Sequence, residues 1–239
     1  MGPIKILIIT TSHGQMGDTN RRTGLWLEEL AVPYYIFRDA GALLTLASPK
    51  GGPVPLDPKS ESIIVANSTT KRFQKDPEAI SLMSDSARLG TQKAEEFDLV
   101  YLPGGHGPMW DFSGNQTLKE LLEDFSRLDR LIGAVSHGVA GLLSLKNKLG
   151  EPLVKGRRLT AFSNSEEQVF GLTEVMPFLL ESALVSLGAT YSKSQDFVSH
   201  IVVDGNIVTG QNSASSKELA KKLIVCLKEL PKKVVAATY

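Results

Sequence analysis

The sequence predicts a three-layer α/β sandwich, in which helices cover both faces of a central, mostly parallel sheet. Two observations lead to this prediction: short β-branched apolar runs alternate with amphipathic stretches of helical period, and turn-forming residues bound each run. Strand–helix–strand alternation needs crossover connections, which produce parallel strands buried on both faces. Ligands of such folds bind beyond the carboxyl ends of the strands, so we expect function in the residues directly after each run.

Four buried strands are predicted, because four continuous apolar runs have strand length and turn residues at their ends. In chain order these runs are Ile4–Thr10, Leu43–Ser48, Leu99–Pro103 and Leu131–Ser136. Apolar residues at helical spacing predict one helix between the first two strands and further helices later in the chain. The predicted helices are Thr23–Ala40, Leu118–Leu128, His137–Leu145, Val175–Leu187 and Ser215–Leu230.

We expect residues 1–230 to form a single α/β domain. The chain has 239 residues, of which 42% are hydrophobic and 22% charged, and this composition suits one globular unit with a sizeable core. The Pro-rich stretch Pro49–Lys75 follows the second predicted strand. It is expected to be a loop excursion or a cap, because insertions of this length are often functional or contact elements. Residues 231–239 are expected to form a flexible tail.

Charge and cysteine content narrow the possible functions. The 26 Lys and Arg residues balance the 26 Asp and Glu residues, whereas a nucleic-acid-binding protein would carry a basic surplus. No apolar run approaches the roughly 18 residues of a membrane span, and the N-terminal segment lacks the layout of a secretory signal. The single cysteine, Cys226, excludes a disulfide framework and a multi-cysteine metal site. We therefore expect a cytoplasmic protein that binds neither nucleic acid nor membranes.

The segment Leu131–Gly141, with the sequence LIGAVSHGVAG, has the layout of a nucleophile elbow. A buried strand ends at Ser136, and the small residues Ala134 and Gly138 lie two positions before and after it. An elbow needs small residues there because the strand and the following helix approach closely, and the helix N-terminus can then stabilise an oxyanion. The same pattern also fits a tight turn in which a hydroxyl caps the helix.

Glu29 lies on the apolar face of the first predicted helix. At about 100° per residue, it falls between Leu25 and Pro33, whereas Glu28 and Asp39 fall on the polar side. A buried carboxyl group has a raised pKa and is a candidate general acid or base. The alternative is a glutamate at the edge of the core whose carboxylate reaches water.

A second glycine turn, Pro103–Gly107, follows the predicted strand Leu99–Pro103. Its backbone amides could supply another oxyanion donor, although it fits neither the dinucleotide-binding nor the P-loop pattern. His106 lies within this turn. Nothing in the spacing argues that His13 and His106 bind a metal with a carboxylate, and we expect no metal site.

The role of His137 is left open by spacing alone. It directly follows Ser136, and adjacent side chains at an elbow normally point apart. Ser136, Asp196 and His200 follow the chain order of α/β-hydrolase triads, which keeps a serine-esterase interpretation open. Against that interpretation, the chain lacks an oxyanion loop of the HGGG type.

Five segments of the chain can be compared with known families as a set. They are AVSHG at 134–138, PGGHGPMWD at 103–111, TGLWLEELAVPYYIF at 23–37, TAFSNSEEQVFGLTEVMPFLLE at 160–181 and VVDGNIVTGQNSAS at 202–215. Together they resemble the ThiJ/PfpI superfamily, whose fold is like that of class I glutamine amidotransferases and flavodoxin. The resemblance covers nearly the whole chain and is strongest to the branch of the heat-shock holding chaperones and the glutathione-independent glyoxalase III enzymes.

The resemblance implies a role for each matching position. Ser136 stands at the position of the nucleophilic cysteine, His137 at the catalytic histidine, and Glu29 at the carboxylate that hydrogen-bonds the nucleophile. Glu167 falls where the family orients the histidine with an acidic residue. The glycine turn that faces the nucleophile, where substrate or oxyanion contacts are expected, contains Gly105 and His106.

Ser136 is the departure from the family pattern. The family's thiolate attacks an aldehyde such as methylglyoxal, a base moves a proton between the two carbons, and the resulting thioester is hydrolysed to D-lactate. A thiol can be largely ionised at neutral pH, whereas a serine hydroxyl needs a base during attack. Ser136 is either an introduced replacement of the cysteine or a natural variant, and in both cases we expect impaired turnover.

The leading interpretation is therefore a glyoxalase III-like lyase that uses no cofactor and acts on a small 2-oxoaldehyde. A stress-response holding chaperone or carbonyl sensor is the alternative. A serine hydrolase, or a peptidase or amidase, is a weaker one. The resemblance also implies a homodimer, in which the stretch Pro49–Lys75 would serve as a contact element.

Overall fold

The computed structural model describes residues 2–229, so the predicted tail at 231–239 lies outside the described residues. Each of the four predicted strands is present with nearly the predicted bounds. The strands are β1 Lys5–Ile9, β2 Leu43–Ser48, β3 Ala87–Arg88, β4 Leu99–Leu102, β5 Leu131–Val135, β6 Arg158–Leu159, β7 Thr190–Tyr191, β8 Ile201–Asp204 and β9 Ile207–Gly210.

Seven strands form the central sheet, in the order β3-β2-β1-β4-β5-β9-β8. Its strand pairs are parallel except for β8 with β9, so the prediction of a mostly parallel sheet is confirmed. The chain proceeds from β1 to β2 on one side and later returns to place β4 on the other side. This reversal next to β1 is a topological switch point, where ligands of open α/β sheets bind. A separate pair, β6 with β7, lies outside the main sheet.

Helices cover both faces of the sheet, as predicted. Two extended sets of buried apolar side chains lie on opposite faces, one beneath α5 and α7 and the other beneath α1 and α8. On α5, the buried residues Leu118, Leu121, Leu122 and Phe125 follow helical spacing. The helices are α1 Leu27–Asp39, α2 Ser68–Phe73, α3 Pro77–Ser84, α4 Pro108–Asp111, α5 Gln116–Arg127, α6 Asn164–Phe170, α7 Leu180–Ser186 and α8 Ser216–Glu229.

Three predicted helices are shorter than predicted or of another helix type. The first, predicted as Thr23–Ala40, begins only at Leu27 as α1. The segment predicted as Val175–Leu187 is helical only as α7, because Pro177 lacks an N–H and disfavours helical backbone in the residue before it. The segment predicted as His137–Leu145 is a 3₁₀ helix, Ser136–Leu142, which begins on the last residue of the predicted strand. Sharp turns after a strand favour such short 3₁₀ segments.

The hairpin of β8 and β9 was missed by the sequence analysis. Gly205 and Asn206 form its two-residue turn, and Gly205 has a φ of +58°. Glycine followed by asparagine between two β-branched runs is a hairpin signal, with glycine at the first central position. β9 extends the parallel sheet beside β5, and β8 forms its antiparallel edge.

The stretch Pro49–Lys75 packs along the start of α1 and contains regular structure. It includes the 3₁₀ helix Pro58–Glu61 and the helix α2. The Leu25 N–H donates to the Pro55 carbonyl over 2.8 Å, and the Asn67 side chain donates to Glu28 over 2.8 Å. These bonds hold the segment against the residues that lead into α1.

The backbone packs very closely where β5 turns into the 3₁₀ helix Ser136–Leu142. A Cβ atom added at Gly138 would lie 2.2 Å from the Leu102 carbonyl oxygen at the end of β4. This distance is far inside van der Waals contact. The oxygen belongs to the Leu102 backbone, so no side-chain rotation can relieve the contact. Gly138 therefore allows the turn after β5 to lie directly against β4.

We expect Gly138→Ala to destabilise the fold by about 3 kcal/mol or more, because backbone must move to relieve the contact. Gly141→Ala, in the same 3₁₀ helix, is the matched control, since its added Cβ would meet only side-chain atoms at 3.4 Å or beyond. The free energy of unfolding in urea would measure both. Equal losses for the two variants would show that the close approach at Gly138 is not the constraint.

Candidate active site

The residues singled out from the sequence come together at the carboxyl ends of β4 and β5. The turn after β4 carries Gly105 and His106, and the turn after β5 carries Ser136 and His137. The first turn of α1 contributes a carboxyl group, and α6 contributes a second one. All these side chains are nearly inaccessible to solvent.

Ser136 occupies a strained backbone position. Its φ is +56°, in the left-handed region that non-glycine residues rarely adopt, and its side chain is buried. Residues held in this region cluster at functional sites, where the surrounding structure maintains the strain. In this turn the Ser136 Oγ lies 3.3 Å from Nδ1 of His137. Two side chains that would normally diverge therefore face each other.

Glu29 points from α1 into the protein and is only 2% exposed. Its Oε2 accepts a hydrogen bond of 2.7 Å from the Gly104 N–H in the turn after β4. Burial raises the pKa of this carboxyl to about 8, although the bonds from Gly104 and from the Ser136 hydroxyl work in the opposite direction. Glu29 is therefore largely protonated at neutral pH and can donate a proton.

Glu167 joins two imidazole rings. Its Oε2 lies 2.7 Å from Nε2 of His137, and its Oε1 lies 2.9 Å from Nε2 of His106. Burial by itself would raise the pKa of this carboxyl. The two imidazoles nevertheless hold the pKa of Glu167 well below its usual range, so it is an anion.

The anionic carboxylate determines the tautomer of His137. A carboxylate accepts hydrogen bonds, so Nε2 of His137 carries the proton and Nδ1 presents its lone pair to Ser136. Burial lowers the pKa of His137 most, and the nearby His106 ring lowers it further. The His137 ring is therefore neutral at rest. A neutral imidazole aimed at a hydroxyl, with its far nitrogen bonded to a carboxylate, is the arrangement of a catalytic triad.

A narrow recess opens above these groups and is walled by aromatic rings. Its cavity volume is small, about 40 Å³. Its floor contains Glu29, Ser136 and His137, and Gly105 and His106 lie beside them. Its remaining lining residues are Trp26, Phe162, Phe170, Phe197, Asn212 and Ser213.

Asp196 and His200, the two partners of Ser136 in the α/β-hydrolase alternative, form hydrogen bonds with other residues. His200 has its Nε2 3.1 Å from the Ser192 hydroxyl, and Asp196 accepts a hydrogen bond from Ser165. The histidine beside Ser136 is His137. The chain order Ser136, Asp196, His200 therefore does not describe the triad that the geometry forms.

We also considered whether a cluster of side chains at the site could bind a metal ion. Among the residues that the structure describes, His106, His137 and Glu167 bring one ligand atom each within 4.8 Å of one another. Each imidazole nitrogen that donates to the carboxylate has no lone pair left for a metal, so the same atoms fit a hydrogen-bonded relay. The expectation of a reaction without metal or cofactor stays a prediction.

Sequence reasoning missed four contributors to the site: Gly104, Glu166, Asn212 and the aromatic wall. Gly104 belongs to the turn that was noted, but its bond to Glu29 depends on how α1 packs. Glu166 and Asn212 hydrogen-bond each other over 2.7 Å and are buried beside the recess. A serine followed three residues later by Glu166 is a capping-box pattern, and this signal could have placed Glu166 at a helix start.

Comparison with known proteins agrees with this geometry. Residues 23–225 match the DJ-1/PfpI family. The chain belongs to this family. The match spans every side chain of the recess and its floor.

Several of the relatives that the chain matches are named as glyoxalases. Glyoxalase 3 of Candida albicans is 26% identical over 235 residues, covering 92% of this chain and 97% of that protein. The crystal structure of glyoxalase III from Candida albicans superposes with a TM-score of 0.86 at 26% identity, covering 93% of this chain and 96% of the other. The Rapid Encystment Protein of 24 kDa from Francisella tularensis has a TM-score of 0.90 at 37% identity, covering 94% and 99%. No helix within residues 2–229 is long and apolar enough to span a membrane.

We expect Glu29→Gln to change how stability depends on pH. A carboxyl group whose pKa is raised on folding contributes stability that is fully present below its unfolded pKa and is lost as pH rises through about 8. Glutamine keeps an acceptor for the Gly104 N–H and cannot ionise. Between about pH 5 and about pH 9, the unchanged protein should lose a few kcal/mol of unfolding free energy relative to Glu29→Gln.

Urea denaturation at several pH values measures this difference. Glu95→Gln serves as the control, because Glu95 is an exposed carboxyl outside the recess. Parallel pH profiles for the unchanged protein and Glu29→Gln would contradict the assignment of Glu29 as a protonated acid.

Proposed function

We propose that the protein converts 2-oxoaldehydes to 2-hydroxy acids, and methylglyoxal to D-lactate, without glutathione or a cofactor. The observation that carries this proposal is the set Ser136–His137–Glu167 beneath the recess, with protonated Glu29 on the other side of the Ser136 hydroxyl. The printed names of the glyoxalase relatives support the same reaction class.

The first step is addition to the aldehyde. The Ser136 oxygen forms a bond to the aldehyde carbon while Nδ1 of His137 takes the hydroxyl proton. The electron pair of the C=O bond moves to oxygen, and Glu29 donates a proton to it. The product is a hemiacetal, and Glu167 stabilises the imidazolium that forms.

The second step moves hydrogen between the two carbons. Glu29, now a carboxylate, removes the proton from the former aldehyde carbon while the His137 imidazolium gives its proton to the ketone oxygen, and a neutral enediol forms. Glu29 then returns its proton to the neighbouring carbon and takes the hydroxyl proton of the former aldehyde carbon. This gives an ester of the 2-hydroxy acid, with Glu29 protonated and His137 neutral again. One carbon is oxidised and its neighbour is reduced, so the substrate itself balances the electrons and no external redox partner is needed.

Hydrolysis completes the cycle. A water activated by His137 adds its oxygen to the ester carbon, and the bond to Ser136 breaks with return of its proton. The sum is one 2-oxoaldehyde plus one water giving one 2-hydroxycarboxylate and one proton. An oxygen nucleophile is deprotonated less easily than a thiol, so we propose that Ser136 makes this form slow relative to a cysteine form.

We expect Ser136→Cys to raise D-lactate formation from methylglyoxal by about two orders of magnitude or more, because the thiolate is populated at neutral pH. Ser136→Ala should abolish the reaction. The measurement is D-lactate released without glutathione, with Cys226→Ala as a control for the protein's own cysteine. Undiminished turnover by Ser136→Ala would refute the nucleophile, and no turnover by any form would refute the glyoxalase proposal.

A holding chaperone or carbonyl sensor is the second candidate, favoured by the apolar tip Ile63–Val65. Ile63 is 91% exposed and Ile64 is 94% exposed in the segment that packs along α1. Adjacent exposed apolar side chains of this kind are typical of surfaces that bind other proteins. This function would need no turnover.

The chaperone candidate predicts that Ser136→Ala still suppresses aggregation of a heat-unfolded client protein. Replacing both Ile63 and Ile64 with Ser in that background should weaken the suppression severalfold, because the tip would lose its apolar surface. Leu149→Ser is the matched control, since Leu149 is 83% exposed and lies apart in sequence. Light scattering of the client measures the effect, and an unchanged value for the double variant would exclude this tip as the binding surface.

A further inference from the structure

The aromatic wall of the recess is continuous from the reacting groups to solvent. The Phe162 ring lies 4.4 Å from the His137 ring, and Phe170 lies 5.8 Å from Phe162, measured between ring centroids. Phe197 lies 5.8 Å from Phe170 and 6.5 Å from Phe162. Trp26 contacts Phe170 edge-on at 6.3 Å. These distances are typical of interacting aromatic pairs.

Phe197 forms the outer lip of this wall and has an unusual backbone. It is 43% exposed, and its φ of +61° lies in the left-handed region. A bulky residue adopts this conformation only where the surrounding structure imposes it, and such positions are common at ligand clamps. The neighbouring Val198 is equally exposed, at 45%, but it does not line the recess.

Glu166 imposes this conformation from inside the protein. Its side chain is fully buried, and its Oε1 accepts 2.8 Å and 2.7 Å hydrogen bonds from the Phe197 N–H and the Asn212 side chain. The other oxygen accepts from the N–H and hydroxyl of Ser163, both at 2.9 Å. Asn212 also donates to the Val198 carbonyl over 3.0 Å. The loop that carries Phe197 is therefore fixed by one buried carboxyl group.

The polar floor and the aromatic wall of the recess would contact different parts of a substrate. The groups that can hydrogen-bond a dicarbonyl lie on the floor, next to Ser136. A substituent on the ketone carbon points away from the nucleophile, along the rings. These rings pack against one another, and their outer edge at Phe197, which is 43% exposed, presents apolar surface that a methyl group would leave mostly in contact with water. A flat aromatic group would cover that surface.

We propose that the recess selects 2-oxoaldehydes with an aryl substituent over methylglyoxal, with Phe197 as the specificity-determining residue and Glu166 as its positioning residue. The proposal rests on the proposed function for the reacting group of the substrate. Its aryl preference is a binding property that can be measured without turnover.

Ligand binding tests the preference directly in the protein as it exists. Acetophenone carries the aryl ketone without an aldehyde, and acetone carries the methyl counterpart. Titration followed by protein-observed NMR should show tighter binding of acetophenone, and Phe197→Ala should weaken it about tenfold. Val198→Ala is the matched control and should bind as the unchanged protein does. Equal affinity of Phe197→Ala and the unchanged protein for acetophenone would overturn the proposal.

Turnover provides the second readout, in Ser136→Cys. Phenylglyoxal should be preferred to methylglyoxal in kcat/KM, and Phe197→Ala should reduce this ratio about tenfold, because a phenyl group loses more contact with the missing ring than a methyl group does. Failure of every 2-oxoaldehyde to react, with acetophenone binding still dependent on Phe197, would refute the proposed function and support the inference. Normal turnover of both 2-oxoaldehydes, with the same kcat/KM ratio before and after Phe197→Ala, would support the proposed function and refute the inference.

Glu166→Ala separates positioning from general structure. Removing the carboxyl group leaves the Phe197 N–H and the Asn212 side chain without their acceptor, so the loop loses both bonds. The ratio of phenylglyoxal to methylglyoxal kcat/KM should fall as in Phe197→Ala, although the ring itself is retained. A proportional loss for both substrates would mean that Glu166 is only structural and would overturn its assigned role.

Discussion

The hydrogen bonds from Glu167 to two imidazole rings are the interaction on which the site depends. One carboxylate, accepting at both oxygens, fixes which nitrogen of His137 and of His106 carries the proton. Without that anion, the nitrogen that faces Ser136 could be protonated and could not accept the hydroxyl proton. The position of Glu167 depends in turn on the start of α6, where the side chain of Ser163 caps the helix.

Two buried carboxyl groups lie around Ser136, and they have opposite protonation states. Glu29 is buried and its hydrogen-bond partners, the Gly104 N–H and the Ser136 hydroxyl, are neutral, so burial dominates and its proton is retained. Glu167 is also buried, but each of its oxygens accepts a hydrogen bond from an imidazole N–H, which stabilises the anion. One group can therefore give a proton while the other stabilises a cation, which is how paired carboxyls divide acid and electrostatic roles elsewhere. The chemistry needs both states at the same pH.

The sequence predicted the parts of the site that depend on local pattern. Glu29 was found because helical period alone places it on an apolar face, and Ser136 because a buried strand ends at it before small residues. The contact between Ser136 and His137 was not predicted from spacing, since it requires a positive φ that only tertiary packing imposes. Glu166 and Glu167 are adjacent and chemically alike, so no periodicity separates the one that holds a loop from the one that holds a histidine. Pro177 was a visible breaker whose effect on the predicted helix was overlooked.

The left-handed backbone at Ser136 has an evolutionary consequence. Its conformation is imposed by the packing of the turn after β5 against β4, with Gly138 at the closest point, and does not depend on which atom sits at the γ position. Serine and cysteine have nearly the same shape, and some of their codons differ by a single base. A lineage can therefore exchange oxygen for sulfur here, in either direction, without rebuilding the fold. The chemical reactivity of this position can therefore change during evolution while the fold stays the same.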